Sequence, residues 1–145
     1  MILSDTEMTR FEFRGDAIPL RCDLLVLEKI QDRVGDIIDA ENKIRGFVPR
    51  VDADGVTDMT TGKWTVPDIG LVTQSLVWMM EEARTITAGK YAIPTTTDLK
   101  QQDDYTIYDL AKIVHKEFSA CIGGKKKNKR AQSKKTDTGT AARKR

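Results

Sequence analysis

Hydrophobic and polar residues alternate near the N-terminus, in the stretch TRFEFRGDAIPLRC. Phe11 and Phe13 share one face of an extended chain, and a Gly-Asp turn follows before the alternation resumes. The pattern predicts a β-hairpin in which residues 9–14 pair with residues 17–21. Because a two-stranded hairpin is only marginally stable alone, we expect its phenylalanine face to pack on an apolar surface.

Apolar residues spaced three and four apart predict two short helices next. Asp23 is a suitable N-cap for LLVLEKIQDRV, and Gly35 supplies a stop. Asp36 caps the following segment, where the apolar spacing continues to Phe47 before Pro49 ends the helix. The two helices therefore meet at a glycine.

Residues 49–67 lack helical periodicity and are rich in Asp, Thr, Gly and Pro. This composition predicts a long mobile loop with a small hairpin around Gly62. Within it, DADGVTD resembles a calcium-binding loop. With Gly55 at loop position six, however, Arg50 and Thr61 occupy the positions that require Asp and Glu. We therefore interpret this stretch as a solvated turn.

Two longer helices complete the pattern. The stretch IGLVTQSLVWMMEEARTITAG follows the N-cap Asp68, is apolar around much of its circumference and ends at Gly89. A connector over residues 90–104 precedes a final helix over residues 105–122, which a pair of glycines stops. Together these elements predict a mainly α fold with a small N-terminal β-hairpin.

Charge is distributed unevenly along the 145 residues. Residues 123–145 hold ten Lys and Arg side chains and one Asp, a net charge of +9, so the whole-chain value of +2 leaves −7 on residues 1–122. A segment of small and charged residues cannot bury enough apolar area to fold. We therefore expect one compact helical domain over residues 1–122 and a disordered basic tail over residues 123–145.

Catalytic and metal-binding groups are scarce in this sequence. His115 is the only histidine, and its neighbours one turn away, Ala111 and Ser119, cannot orient it as a general base. Cys22 and Cys121 are far apart and lack the spacing of a metal site or a disulfide scaffold, so we expect reduced, partly buried thiols. We expect no enzyme activity, no cofactor and no metal.

The sequence also bears on localisation. No apolar run approaches the length of about eighteen residues that a membrane span needs. Asp5 and Glu7 place charges where a secretory signal would be apolar. We therefore expect a soluble intracellular protein with no membrane partner.

Trp78, Met79 and Met80 are consecutive in the predicted helix that follows Asp68. Methionine-rich faces adapt to several partners, and tryptophan often anchors interfaces. Core packing is the commoner use of such residues in a helix that is apolar on most sides. These three residues are our candidate partner-binding residues, with a position in the core as the alternative.

The first fifty residues combine a hairpin that ends in IPLR at residues 18–21, a helix at residues 24–30, Gly35 and a second helix at residues 37–44. This order resembles the N-terminal region of tail assembly chaperones of long-tailed phages and prophages. The later stretch YTIYDLAKIVHKEF is similar to the closing helix of that family. The resemblance rests on hydrophobic pattern rather than on signature residues.

The resemblance implies a small, mainly helical, non-catalytic protein in the cytoplasm of the bacterial host. Its partner would be the tape measure protein, which it would hold soluble while tail tube subunits gather on it. A long amphipathic chain of that kind aggregates through its exposed apolar faces, and a protein that covers those faces needs no cofactor.

The basic tail has three interpretations. In the first, it contacts nucleic acid, and the protein is a small nucleic-acid-binding regulator whose affinity is sensitive to salt. In the second, it only keeps the end of the chain solvated. Many members of the resembled family also have a longer form produced by ribosomal slippage, and GGA-AAA-AAA-AAA-AAY could encode the stretch GKKKN. The lysines would then reflect a constraint on the message. The residues concerned are Lys125, Lys126, Lys127, Lys129 and Arg130.

Overall fold

The structure, a computed structural model, describes residues 8–123, which form five α-helices and two antiparallel hairpins. The predicted class, mainly α with a small N-terminal hairpin, is confirmed for these residues, and a second hairpin is added. In chain order the elements are β1 (Arg10–Phe13), β2 (Asp16–Pro19), α1 (Leu24–Val34), α2 (Ile37–Arg45), β3 (Phe47–Val51), β4 (Thr57–Trp64), α3 (Ile69–Thr87), α4 (Thr96–Gln101) and α5 (Ile107–Cys121).

The first hairpin, β1–β2, forms with Phe11 opposite Ile18. Its apolar face is buried as predicted, with Phe11 1% exposed and Phe13 5% exposed. The chain then continues onto α3, where the Arg21 amide donates to the Met79 carbonyl at 3.0 Å. The hairpin is therefore part of the core.

Helices α1 and α2 begin at the predicted caps. The Asp23 carboxylate accepts from the Val26 amide, and the Asp36 carboxylate accepts from two amides of the first turn of α2. Helix α2 ends at Arg45, because Gly46 adopts a left-handed conformation with φ 77°. The predicted continuation of this helix to Phe47 is therefore wrong, and Phe47 begins a strand.

Residues 49–67 were predicted to be a loop with a hairpin around Gly62, and this prediction is wrong. Strands β3 and β4 form a second hairpin whose turn lies at residues 52–56, while Gly62 pairs with Pro49 inside it. The turn is nonetheless solvated as predicted: the exposed Asp52 carboxylate accepts from the amides of Asp54 and Val56, both at 2.9 Å.

Helix α3 runs through the centre of the fold. It contacts α1, α2, α4, α5 and β2. The hydrophobic core gathers around it, and the largest fully buried side chains are Phe11, Ile18, Leu20, Val26, Ile30, Ile44, Leu71, Leu76, Met79, Met80, Leu99 and Phe118.

Helix α4 lies in the stretch predicted to be a connector, which corrects that prediction. It has only six residues, and its capping box joins Thr95 to Asp98. Leu99 is its only buried residue, so no apolar repeat reveals the helix. The final helix α5 begins at Ile107, two residues later than predicted, after a second capping box at Thr106. The predicted disordered tail lies outside the described residues from position 124 onward.

Candidate partner-binding surface

The predicted partner-binding residues do not form an exposed surface. Met79 and Met80 are both 0% exposed and belong to the core. Trp78 is half-buried and packs against the same cluster. The structure therefore corrects the interpretation of the two methionines as a contact surface and agrees with core packing, because α3 is covered by the chain itself.

The basic residues Lys125, Lys126, Lys127, Lys129 and Arg130 lie outside the described part of the chain. Nucleic-acid contact, a solvating role and ribosomal slippage all stay open as interpretations of the tail.

Exposed apolar side chains concentrate instead between β3 and the start of α3. Residues 47–69 contribute several of the large ones, with exposures between 43% and 64%: Val48, Val51, Val56, Trp64, Val66 and Ile69. Single exposed apolar residues are normal, but contiguous apolar patches mark interaction sites. This segment is therefore the first place to look for a binding surface.

A groove, called the α5 groove here, forms where this segment meets α5. Its α5 residues are Tyr108, Ala111, Lys112 and His115, and its other lining residues are Arg45, Trp64 and Pro67. Trp64 is 64% exposed and Tyr108 is 59% exposed, so two large aromatic rings line it while remaining open to solvent. Tryptophan, tyrosine and arginine are the residue types that most often dominate binding energy.

Backbone contacts at the base of the second hairpin hold Trp64 in place. The Thr65 amide donates to the Gly46 carbonyl at 2.7 Å, and the Asp68 amide donates to the Lys43 carbonyl at 3.0 Å. A Cβ atom at Gly46 would collide with the Thr65 carbonyl oxygen, so the close approach requires glycine here. The end of α2 and the end of β4 are thereby fixed side by side.

Aromatic and cationic groups are in contact at the same end of the hairpin. Phe47 and Trp64 are opposite each other on β3 and β4, with ring centroids 5.0 Å apart. The Arg45 guanidinium carbon lies 5.5 Å from the Phe47 ring centroid and 5.2 Å from that of Trp64. Cation–π contacts of this kind orient the guanidinium without neutralising its charge.

His115 lies at the other end of the groove lining and has a partner that the sequence did not reveal. Its Nε2 is 3.0 Å from a Glu41 carboxylate oxygen, and both side chains are 32% exposed. His115 is therefore neither in the core nor fully exposed. The sequence does not indicate this contact, because Glu41 lies on α2, 74 residues away along the chain.

The groove has a positive character. Among residues 8–123, no carboxylate lies within ion-pairing distance of Arg45 or Lys112. Asp109 lies three residues before Lys112, and its carboxylate attracts the Lys112 ammonium group only at longer range. That carboxylate instead accepts a hydrogen bond from the Thr106 amide at 3.0 Å. Glu41 is engaged by His115. Two cations therefore flank two exposed aromatic rings.

A second, more polar cleft lies between the start of α1 and the end of α5. Cys22 and Cys121 are free and half-buried as predicted, but their side chains are hydrogen-bonded, which the sequence did not predict. Burial, followed by the neighbouring thiol of Cys121, raises the pKa of Cys22 far above its usual range. A thiol in this state is a weak nucleophile.

A carboxyl pair lies close to this cleft. The Asp23 and Glu82 carboxyl groups are hydrogen-bonded to each other, and the Arg21 Nε atom lies 3.1 Å from Asp23. The hydrogen bond to Asp23, together with partial burial, raises the pKa of Glu82 to about 7. Partial burial acts to raise the pKa of Asp23, but hydrogen bonds from Glu82, Arg21 and the Val26 amide lower it below its usual range. A hydrogen bond between two carboxyl groups requires a proton on one of them, and the direction of the two shifts assigns it to Glu82.

Trp64 and Tyr108 are the residues that sequence reasoning missed. The assignment of residues 49–67 to a loop concealed the strand that positions Trp64. Tyr108 had a usable signal: it falls off the apolar stripe of α5 that includes Leu110, Val114 and Phe118.

Searches against protein-family models, curated proteins and solved structures find no significant match to the chain. Within residues 8–123, three or more His, Cys, Asp or Glu side chains are nowhere grouped so as to hold a metal ion. None of the helices in that part of the chain combines the length and the hydropathy needed to cross a bilayer.

Proposed function

We propose that this chain is a non-catalytic tail assembly chaperone of a long-tailed phage or prophage. It binds the tape measure protein in the cytoplasm of the bacterial host, keeps it soluble and helps tail tube subunits gather on it. It does so through exposed apolar side chains rather than through a cofactor.

The observation that supports the proposal best is the concentration of exposed apolar residues over residues 47–69, next to the open ring of Tyr108. A stable fold with a separate core leaves this segment free to cover the apolar face of a partner. The order of hairpin, helix, glycine and helix in the first fifty residues supports the particular family. The burial of Met79 and Met80 shifts the proposed contact from α3 to the segment around Trp64.

Co-expression tests the proposal. The proposed partner, the tape measure protein, is a long helical protein expected to be encoded downstream of this chain. It is expressed in bacteria with and without the chain and quantified in soluble and pelleted fractions. We expect the chain to raise the soluble share severalfold and to co-purify with it. An unchanged soluble share would contradict the chaperone function. An unrelated small acidic protein expressed at the same level is the control.

A further inference from the structure

We propose that the α5 groove binds a helical segment of the partner that carries acidic side chains beside an apolar stripe. This inference rests on the proposed function, because it specifies which part of a binding protein makes the contact and what chemistry it selects.

The shape of the groove favours a helix. Tyr108, Ala111, Lys112 and His115 are spaced at i, i+3, i+4 and i+7, so they form a strip along one face of α5. That strip is about 10 Å long, or two helical turns. A partner helix uses the same spacing to place its anchor side chains into a groove.

The size of the groove favours side chains over a free small molecule. Its volume is about 260 Å³, slightly below the range of about 300–1,000 Å³ that is typical of small-molecule sites. Ala111 is buried and Pro67 is buried, so the floor between the two aromatic rings is apolar. One or two apolar side chains from a partner would therefore fill it against Trp64 and Tyr108.

The charge of the groove selects the flanking residues of that partner. Arg45 and Lys112 have no ion-pair partner among the described residues. A carboxylate on the partner could bind the edge of the Arg45 guanidinium while the face of that guanidinium stays in contact with the Trp64 ring. Cations on the partner would instead be repelled, which gives the groove a preference that apolar contact alone does not supply.

Two labelled synthetic helical peptides with the same leucine stripe at i, i+3, i+4 and i+7 test this inference. Glutamates flank the stripe in one and lysines in the other, and fluorescence anisotropy measures their binding to the full chain. We expect the glutamate peptide to bind at least ten times more tightly, with an affinity that falls as salt increases. Equal affinities, or no binding of either peptide, would overturn the proposed occupant.

An acidic peptide could also be attracted to the basic residues 123–145. Variants in the groove distinguish binding in the groove from that attraction, because residues 123–145 are present in every protein tested. The double variant Trp64→Ser/Tyr108→Ser should lose at least tenfold in affinity for the glutamate peptide, and Arg45→Glu/Lys112→Glu should invert the peptide preference. Ile38→Ser is the matched control, because Ile38 is 54% exposed on α2 and does not line the groove.

Circular dichroism melts verify that each variant is folded, and Tyr108→Ser alone replaces the double variant if that protein does not fold. Unchanged affinity in the groove variants would overturn the inference even if the peptide binds. The co-expression result does not depend on these peptides. A chaperone that solubilises the tape measure protein but ignores both peptides would keep the proposed function and refute only the α5 groove.

Discussion

The two hairpins of this protein have the same topology and opposite surroundings. In the first hairpin, Phe11 and Phe13 are buried against the helices. In the second hairpin, the large apolar residues Val48, Val51 and Trp64 are between 43% and 64% exposed. Both are two-stranded antiparallel hairpins, but only the first contributes buried phenylalanine rings to the core.

Different contacts stabilise each of them. The first hairpin is held by distant parts of the chain: the Tyr105 hydroxyl donates to the Glu12 carbonyl at 2.6 Å, and the Tyr105 ring centroid lies 5.0 Å from that of Phe11. The second is fixed only at its base, next to the end of α2, and is otherwise held by its own residues, through the Phe47–Trp64 ring pair and the carboxylate of Asp58, which accepts from the Thr60 amide at 2.8 Å. It is therefore a peripheral element whose loss would leave most of the core in place.

The two hairpins should therefore have different roles although they share a topology. A buried hairpin stabilises the fold and has little surface left for a partner. A hairpin that is fixed at its base and leaves Trp64 open to solvent presents that ring at little cost to the core. Substitutions in the first hairpin and its surroundings should therefore change stability, and those in the second should change binding.

The largest expected effect comes from a charge placed in the core that supports the first hairpin. Met80 is 0% exposed, so Met80→Asp buries a carboxylate without a partner. We expect loss of more than about 4 kcal/mol of unfolding free energy, or failure to fold. Thermal melts followed by circular dichroism measure it.

Val48→Asp is the control for that variant, because Val48 is 43% exposed in the second hairpin. It should lose less than about 1 kcal/mol. Comparable losses in the two variants would mean that the second hairpin is also part of the core.

Truncation of one aromatic ring in each hairpin is the next test. Phe11→Ala removes a buried ring and should cost about 3–5 kcal/mol. Trp64→Ala removes a largely exposed ring that contacts mainly Phe47 and Arg45, and should cost about 1 kcal/mol or less. Urea unfolding followed by far-ultraviolet circular dichroism gives both values without relying on tryptophan emission. A loss in Trp64→Ala as large as that in Phe11→Ala would contradict the comparison.

A single hydroxyl provides a finer test. Tyr105→Phe keeps the ring against Phe11 but removes the hydrogen bond to the Glu12 carbonyl, so we expect a loss of about 1 kcal/mol. Tyr108→Phe is the matched change in the α5 groove, where the ring is 59% exposed, and should leave stability unchanged. Equal melting temperatures for the two variants would show that the Tyr105 hydroxyl does not secure the first hairpin.

The sequence was sufficient for elements whose signals are local. Alternation identified the first hairpin, Asp-capped apolar repeats identified α1, α2 and α3, and an apolar repeat that ends at two glycines identified α5. Such signals act within a few residues, so they can be seen without knowledge of the fold. The boundary error at Phe47 arose because one apolar spacing fits both the last turn of a helix and the first residue of a strand.

The candidate site depended on distant contacts and could not be predicted. The second hairpin is irregular, with a bulge between Pro49 and Arg50, and its proline and glycine resemble loop signals. The contact of Glu41 with His115 and the location of Trp64 near Tyr108 arise only when α2, the second hairpin and α5 pack together. The apolar character of α3 was visible, but whether the chain itself covered Met79 and Met80 was not.

The smallest expected effect is a dependence of stability on pH, for which a carboxyl group on α3 can be compared with one in the second hairpin. On α3, the raised pKa of Glu82, about 7, means that the folded protein keeps a proton that the unfolded chain loses near pH 4.5. Its stabilising contribution is complete below pH 4.5 and disappears as pH rises through about 7. In the second hairpin, hydrogen bonds from Thr60 and Thr61 lower the pKa of Asp58 to about 2, so its contribution is complete above pH 3.8 and is lost as pH falls from there through about 2.

Of these two contributions, only that of Glu82 should change between pH 5 and 8. We expect the wild-type melting temperature to fall across this range by an amount that corresponds to less than about 1 kcal/mol, since Glu82 is only partly buried and solvent screening weakens the effect. Glu82→Gln, whose amide donates to Asp23 at any pH, should flatten this part of the profile. Glu81→Gln next to it and Asp58→Asn in the second hairpin should not. A slope that persists in Glu82→Gln would mean that another group controls stability in this range.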